Sequence, residues 1–253
     1  MDEKNAAEAE ANRCAAKLDR ANRLVNALGS ESERWAQSIE DLGHTLGHVT
    51  GDVLLAAAFV SYVGPFNKVF RDKIIADFKN FFTINSIPVG PNIDPVSMLT
   101  DEAEIAQWNT QGLPSDQVSV ENGSILTKSE RYPLIIDPQL QGIGWIKTKE
   151  ASNDLQVTRL TNGNKMIKTI EFAIETGQSV LIENIQETID AILAPVYGRA
   201  IIKRGKSKYL RLGDKELSLN EKFRLFFHTK LSNPHYAPEI QAECTIINFT
   251  VTE

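Results

Sequence analysis

Cysteine is scarce. The 253 residues hold two, Cys14 and Cys244, too far apart in sequence to suggest a metal knuckle or a redox pair. Such low use fits a reducing compartment. An excess of positive charge is also lacking: 27 Lys and Arg stand against 33 Asp and Glu, a net charge of −6 at pH 7. Nothing in that balance points to nucleic-acid binding by the chain as a whole. Long apolar runs are absent too. The longest, residues 53–63, contains Ser61 and Tyr62 and ends at Gly64-Pro65, whereas spanning a bilayer takes about 20 residues. It reads as a buried helix, and no membrane partner is expected. The opening residues, MDEKNAAEAEANR, are charged and carry no apolar run, which argues against a secretory signal. The expectation is a soluble, intracellular chain whose 42% hydrophobic content suffices for one core plus an extension.

The clearest periodic signal lies in the first segment. Ala7, Ala11, Cys14, Leu18, Ala21, Val25, Leu28, Ser32, Trp35, Ile39 and Leu42 follow alternating spacings of four and three. That is a heptad seam sustained over about five repeats, with charged residues filling most other positions. An ordinary amphipathic helix lying on its own domain is the plainer alternative. No second heptad run exists in the sequence, so a complementary coiled-coil strand is expected from elsewhere, and the chain reads as a fragment. Gly29, which costs about 1 kcal/mol against Ala in a helix interior, marks a possible bend. A second helix is expected over residues 67–82, forming a small helical subdomain with the end of the first. His44 and His48, four apart, have metal-clamp spacing but no third ligand and no Glu after the first His. They read as packed or solvent-facing histidines.

Residues 87–117 are rich in Pro, Gly, Asn and Asp and read as a connector with one short helix at 101–108. Beyond it, apolar runs at 133–137, 155–160, 179–182, 223–229 and 245–249 alternate with helical patterns beginning near Gly142, over 166–175 and through Ile189, Ile192 and Leu193. Continuously apolar strands between helices predict an α/β fold with a parallel sheet covered on both faces. Ligands of such sheets sit at the carboxyl ends of the strands. Residues 199–203 and 209–212, flanking a basic turn at Gly205, read as an inserted hairpin. Its charges could meet an acidic neighbour or simply be solvated.

A phosphate loop needs glycines to wrap phosphates in backbone N–H groups, a Lys for the β/γ charge and a Ser or Thr for Mg²⁺. After the first apolar run, residues 137–147 read DPQLQGIGWIK. Strand, turn, two glycines (Gly142 and Gly144) and helix are present, but the GK[ST] ending is not. Trp145 and Ile146 follow Gly144, Lys147 comes a turn late, and Thr148 points elsewhere. The bulk of Leu140 and Trp145, with Pro138, is expected to obstruct a cradle. At the third run, Glu183-Asn184 stands where hydrolysis requires Asp then Glu, and an amide cannot polarise water. Gln139, Gln141, Gly142, Gly144, Lys147, Glu183 and Asn184 thus outline a degenerate nucleotide site. No catalytic residue, metal or resident cofactor is expected.

These residues carry a resemblance to the heavy chain of dynein. RYPLIIDPQLQGIGWIKTKE, with WNTQGLPSDQVSVENG upstream, GQSVLIENIQE at the acidic strand and TKLSNPHYAPEIQAECTIINFTVT at the end, resembles the fifth AAA+ module. GDVLLAAAFVSYVGPFNKVFRD resembles the helices that follow the returning stalk strand, and the wording is closer to axonemal than to cytoplasmic dyneins. The resemblance implies an AAA+ P-loop-like parallel sheet flanked by helices, preceded by a long coiled-coil helix and a small helical subdomain. Residues 1–42 would be stalk base, 43–85 the end of the fourth module, 86–123 a linker and 124–253 the large subdomain of the fifth. It implies a polar sensor at Asn233, or at Thr229 just before it. Glu243 would stand where a ring module can donate an arginine finger. The implied partners are neighbouring AAA+ modules and the missing outgoing stalk helix, with microtubules reached only through the stalk tip. The implied role is a non-catalytic ring relay in an axonemal motor; the alternative is a weak ATP- or ADP-binding domain with residual hydrolysis.

Overall fold

The computed structural model describes residues 2–250, without the side chains of Asp2, Glu3, Asn5, Ala6, Ala9 and Ser30. The last residues of the terminal motif, 251–253, lie outside the described part. Two compact units emerge, Met1–Thr50 and Gly51–Glu253.

The described residues of the first unit are all helical, and their helix, α1, spans Asp2–Ala58. Gly29 does not interrupt it: one glycine costs about 1 kcal/mol, and good helix formers on both sides carry the hydrogen-bond ladder through. The expected bend is therefore not a break. The seam side chains stand in solvent, with Leu28 60%, Trp35 65%, Ile39 70% and Leu42 65% exposed. The i,i+4 pairs Lys4–Glu8 and Asp19–Arg23 decorate other positions and contribute little on an exposed surface. His48 Nδ1 lies 3.0 Å from the His44 carbonyl, and among the described residues no group of three or more metal-ligating side chains occurs.

In the second unit α1 ends in buried Leu55 and Ala58 and widens into a π-helical turn, Phe59–Val63. An 18-residue window within residues 10–63 has a mean hydropathy of 1.5 and could cross a bilayer by length and composition alone. A third of it is buried inside the protein, which is how a core helix passes the same test. Helix α2 (Lys68–Ile84) starts where Asn67 Oδ1 accepts the Phe70 N–H. Three helices follow, each capped by an Asp that accepts an N–H of its first turn: α3 (Pro95–Leu99), α4 (Glu102–Thr110) and α5 (Gln117–Lys128). The boundary expected at 123/124 falls inside α5. Its sequence, QVSVENGSILTK, is poor in helix formers; the Asp116 cap and burial of Ser119 and residues 121–126 sustain it. Gly123 is needed there because a Cβ would sit 3.0 Å from Trp108 and Leu113.

A buried polar hub ties α2 to α5. Arg71, 1% exposed, donates to Glu121 Oε2 (3.0 Å), Asn122 Oδ1 (2.6 Å) and the carbonyls of Gly64 (3.0 Å) and Phe66 (2.8 Å). Lys68 Nζ reaches the other Glu121 oxygen at 2.7 Å. Every charge in this hub has a partner, the condition under which burying an ion pair is tolerable.

The α/β body is the expected parallel sheet. Strands β1 (Pro133–Ile136), β2 (Gln156–Thr158) and β3 (Ser179–Ile182) alternate with helices α6 (Gln141–Lys149) and α7 (Asn164–Thr176). The helix expected through Ile189, Ile192 and Leu193 begins later, as a 3₁₀ turn (Ala191–Leu193) running into α8 (Ala194–Tyr197), a short helix that holds Pro195 and ends at Gly198. The inserted hairpin is a three-stranded antiparallel sheet, β4 (Ile201–Arg204), β5 (Ser207–Leu212) and β6 (Lys215–Ser218). Strand β7 (Arg224–Thr229), helix α9 (Pro238–Glu243) and strand β8 (Thr245–Asn248) complete the body. The main sheet runs β2-β3-β7-β1-β8. Alternate residues face opposite layers: Leu134, Val180 and Phe227 meet α7 through Ile170 and Ile174, while Ile135, Leu181, Phe226 and Ile247 meet Trp108, Ile125 and Trp145. Both faces are covered, as the unbroken apolar runs require.

Candidate functional site

The carboxyl ends of β1, β3 and β7 open into a cavity of ≈370 Å³ lined by Leu140, Ile143, Gly144, Lys147, Arg159, Glu183, Asn184, His228 and Lys230. Its floor is the turn from β1 into α6. Asp137, fully buried, follows β1 directly. Its Oδ1 accepts the Gln141 N–H at 3.0 Å and its Oδ2 accepts the Ile143 N–H at 2.9 Å. These amides open α6, where orphan N–H groups and the helix dipole otherwise favour a bound anion. The protein supplies that anion itself.

The register of the turn follows. Counting G-x-x-x-x-G-K-[ST] from the residue after β1 places Asp137 at the first glycine, Gly142 at the second, Ile143 at the lysine and Gly144 at the hydroxyl. Leu140 adopts a left-handed conformation, φ 64°, which costs a side-chain-bearing residue about 1–2 kcal/mol. Gly142 serves packing: a Cβ would lie 2.9 Å from the Phe249 ring.

Trp145 does not obstruct the turn. Helix α6 rotates it to the sheet side, where it is 1% exposed, stacks edge-on to Trp108 at 5.7 Å and donates to Gln111 at 3.3 Å. Ile146 is buried in the same layer. Of the obstruction expected from Leu140, Trp145 and Pro138, the Trp145 part is thus absent while Leu140 still lines the cavity, and the Asp137 carboxylate adds an electrostatic obstacle. Gln139 and Gln141 are exposed and stand outside the cavity, and Gln141 contributes only its N–H.

Lys147 and Glu183 do meet. Lys147 Nζ lies 2.6 Å from Glu183 Oε1, and Arg159 Nη2 lies 3.4 Å from Oε2. Partial burial works to raise the Glu183 pKa, but Lys147 and Arg159 outweigh it and hold the carboxyl below its ordinary value. The acid is thus ionised and engaged by two cations. Asn184 is strained at φ 55°, and its Oδ1 is buried without a hydrogen-bond partner. Its N–H points at His228 Nδ1 (3.4 Å), while His228 Nε2 lies 3.3 Å from the Asp137 carbonyl. That pairing makes His228 the neutral tautomer with its proton on Nε2. Burial lowers its pKa against the pull of Asp137 and Glu183.

The sensor expectation needs correction. Asn233 is exposed and outside the cavity. Thr229 is fully buried, donating to the Ile185 carbonyl (2.9 Å) and accepting from the Leu231 N–H (3.2 Å). The end of β7 presents His228 and Lys230 instead, because alternation turns Thr229 away. Glu243 closes α9 immediately before β8, is exposed, and is not at the cavity. Asp137, Arg159, His228 and Lys230 escaped the sequence reading. Only Asp137 left a signal there, an acid where a phosphate loop has its first glycine.

Taken together, the residues do not fit a nucleoside triphosphate with Mg²⁺. The amides are occupied by a carboxylate, no hydroxyl replaces the Ser or Thr, and the acid opposite is engaged by Lys147 and Arg159.

A family model described as the ATP-binding dynein motor region matches residues 106–253, and one described as the microtubule-binding stalk of dynein motor matches residues 1–82. The chain is 56% identical over 252 residues, 99% of its length, to the dynein alpha chain of the flagellar outer arm from Chlamydomonas reinhardtii. It is 52% identical over 236 residues, 92% of its length, to dynein axonemal heavy chain 17 from Homo sapiens. Identity to the Chlamydomonas reinhardtii dynein beta chain of the flagellar outer arm is 46% over 254 residues, 100% of the chain. The chain spans only 5–6% of these relatives' own length.

Proposed function

The chain belongs to the dynein heavy-chain family, carrying part of the stalk and part of the motor region, and from that premise we propose that it is a non-hydrolysing relay. It links the stalk base to the next part of an AAA+ ring and passes on conformational change without turning over ATP at its own site. The observation that carries this reading is the Asp137 carboxylate on the Gln141 and Ile143 amides. A triphosphate entering there would meet a buried negative charge at close range, and the repulsion is strong where water is excluded.

The partners follow from the same premise: neighbouring ring modules, and the outgoing stalk helix against the exposed seam of α1. Microtubules are reached through a stalk tip outside this chain. The axoneme is the proposed location, since the relatives named above are flagellar or axonemal chains. In this scheme residues 1–42 serve as stalk base and residues 43–85 finish the preceding module.

The second reading, weak ATP or ADP binding, draws on the cations Lys147, Arg159 and Lys230 that still face the cavity. Isothermal titration of the chain with Mg-ATP separates the two. The relay predicts no heat of binding; micromolar affinity refutes it. Turnover by purified chain that disappears in Glu183→Gln would refute it more severely.

A further inference from the structure

The opposite end of the parallel sheet holds a second and larger cleft. It lies at the amino ends of β1 and β7, beside Pro133 and Arg224, and encloses ≈560 Å³. The degenerate phosphate turn lies at the carboxyl ends, so the two share no lining residue. A cleft of this size falls within the range of about 300–1,000 Å³ typical of ligand sites.

Its charge runs against that of the chain. Six cations line it, Lys128, Arg131, Lys149, Arg199, Lys208 and Arg224, against three carboxylates, Glu130, Glu150 and Glu221, in a protein of net charge −6. Some cations are neutralised locally: Lys149 by Glu150 (3.2 Å), Lys208 by Glu221 (2.6 Å) and Lys128 by Glu104 from α4 (2.9 Å). Arg199 has only Glu130 at 3.4 Å, a side chain 90% exposed, so that pair is weak. Arg131 donates to the Ala242 and Ser61 carbonyls and meets no carboxylate. Arg224 has no ion-pair partner among the described residues.

Arg199, Arg224 and Tyr132 belong together. Both guanidinium charges act on the Tyr132 phenol, opposing the burial that raises its pKa. The ring is held edge-on to Phe223 at 5.9 Å. Arg199 is kept in a left-handed conformation, φ 52°, and its Nη1 is anchored on the Glu130 carbonyl at 2.6 Å. Strain of this kind costs about 1–3 kcal/mol and persists where the surroundings enforce it.

We infer that this cleft docks an acidic peptide segment, its carboxylates paired with Arg199 and Arg224 and hydrogen-bonded by the Tyr132 phenol. The charges come from four separate stretches of chain, at 128–131, 149, 199–208 and 224, around a cleft of ≈560 Å³. Two lightly neutralised guanidinium groups in a cleft of that size can each take a carboxylate of one peptide, which a single compact phosphate would not use. Arginine forks suit carboxylates in pairs.

The test is fluorescence anisotropy of the chain with a labelled peptide of alternating Glu and Ser, with a Lys-Ser peptide and pyrophosphate as comparisons. The Glu peptide binds in a salt-sensitive way, the Lys peptide does not, and pyrophosphate competes poorly. Arg199→Gln/Arg224→Gln weakens binding at least about tenfold, and Tyr132→Phe weakens it less. Lys203→Gln/Lys206→Gln removes the same charge from the β4–β5 turn outside the cleft and leaves affinity unchanged. Circular dichroism melts show whether each variant is folded, and Tyr132→Phe, the mildest change, carries the test should the double variant unfold. Absence of binding overturns the inference. So does equal loss in both double variants, which would mean diffuse attraction, or tight pyrophosphate binding without peptide binding, which would mean a free-anion site.

Discussion

The two units treat polarity in opposite ways. Along α1 in the first unit, Leu18, Val25, Leu28, Trp35, Ile39, Leu42 and Leu46 are 60–74% exposed. In the second unit Arg71, Glu121, Asn122, Asp137 and Glu150 are at most 4% exposed. Among the described residues the apolar seam stands uncovered within its own unit, and the proposed relay assigns it to a second stalk helix. The buried polar groups are answered almost donor for donor by the unit's own chain, and they fix how its parts meet. Polar burial here marks a finished contact, and apolar exposure marks the surface that the proposed relay would fill.

Four changes would break or sharpen that contrast. The largest effect is expected at the finished contact. Arg71→Met leaves Glu121 buried with only Lys68 to balance it, and should cost about 3–5 kcal/mol in urea unfolding of the second unit's transition. Arg71→Met/Glu121→Leu should recover most of that, since no stranded charge remains; equal loss in both would deny the pairing. Next is Asp137→Ala, which strips a cap from α6 and should cost about 1–2 kcal/mol in the same measurement. An unchanged midpoint would mean the two amide bonds contribute nothing.

A third, smaller effect is visible in pH. Because Lys147 and Arg159 hold the folded Glu183 pKa below its ordinary 4.5, the folded state binds this proton less readily than the unfolded state. The contribution is complete above the ordinary carboxylate pKa and is lost as pH falls through the lower folded value. Glu183→Gln should therefore be less stable than the parent at neutral pH, with the gap closing in acid. A gap that widens in acid would reverse the assignment. The smallest effect on the second unit should come from the seam. Leu28→Glu/Trp35→Glu should leave its unfolding within about 0.5 kcal/mol while abolishing any concentration-dependent self-association in sedimentation. Loss of body stability would show that the seam is not independent of it.

The sheet was legible because strands such as Leu134-Ile135-Ile136 and Val180-Leu181-Ile182 are apolar on both faces, a pattern that survives without tertiary knowledge. Helix α5 was not, since its β-branched and polar residues disfavour a helix until burial and the Asp116 cap decide the matter. At the site, Lys147 and Glu183 were named separately as candidates, and the structure brings them together. Trp145 was misjudged because its direction depends on where α6 begins, and a shift of two residues turns an obstruction into core. Arg159 and Lys230 belong to no local motif; the parallel crossovers bring them to the cavity from 24 residues before Glu183 and from just past the end of β7. Such convergence has no signature in sequence spacing.

The turn at Gly64 has a consequence for solubility. Strand β8 is an outer strand of the main sheet, and an open outer strand is a template on which a stray chain can anneal. Here the Asn248 N–H donates to the Gly64 carbonyl, its own carbonyl accepts from Asn122, and its side chain reaches toward Pro65. Gly64 itself lies so close to the Ile246 carbonyl that any side chain would collide with it. The outward-facing N–H and C=O of Asn248 are thus occupied and Gly64 lies against Ile246, so this flank is shielded against amyloid-like strand addition, and a bulkier residue at position 64 would remove the shield.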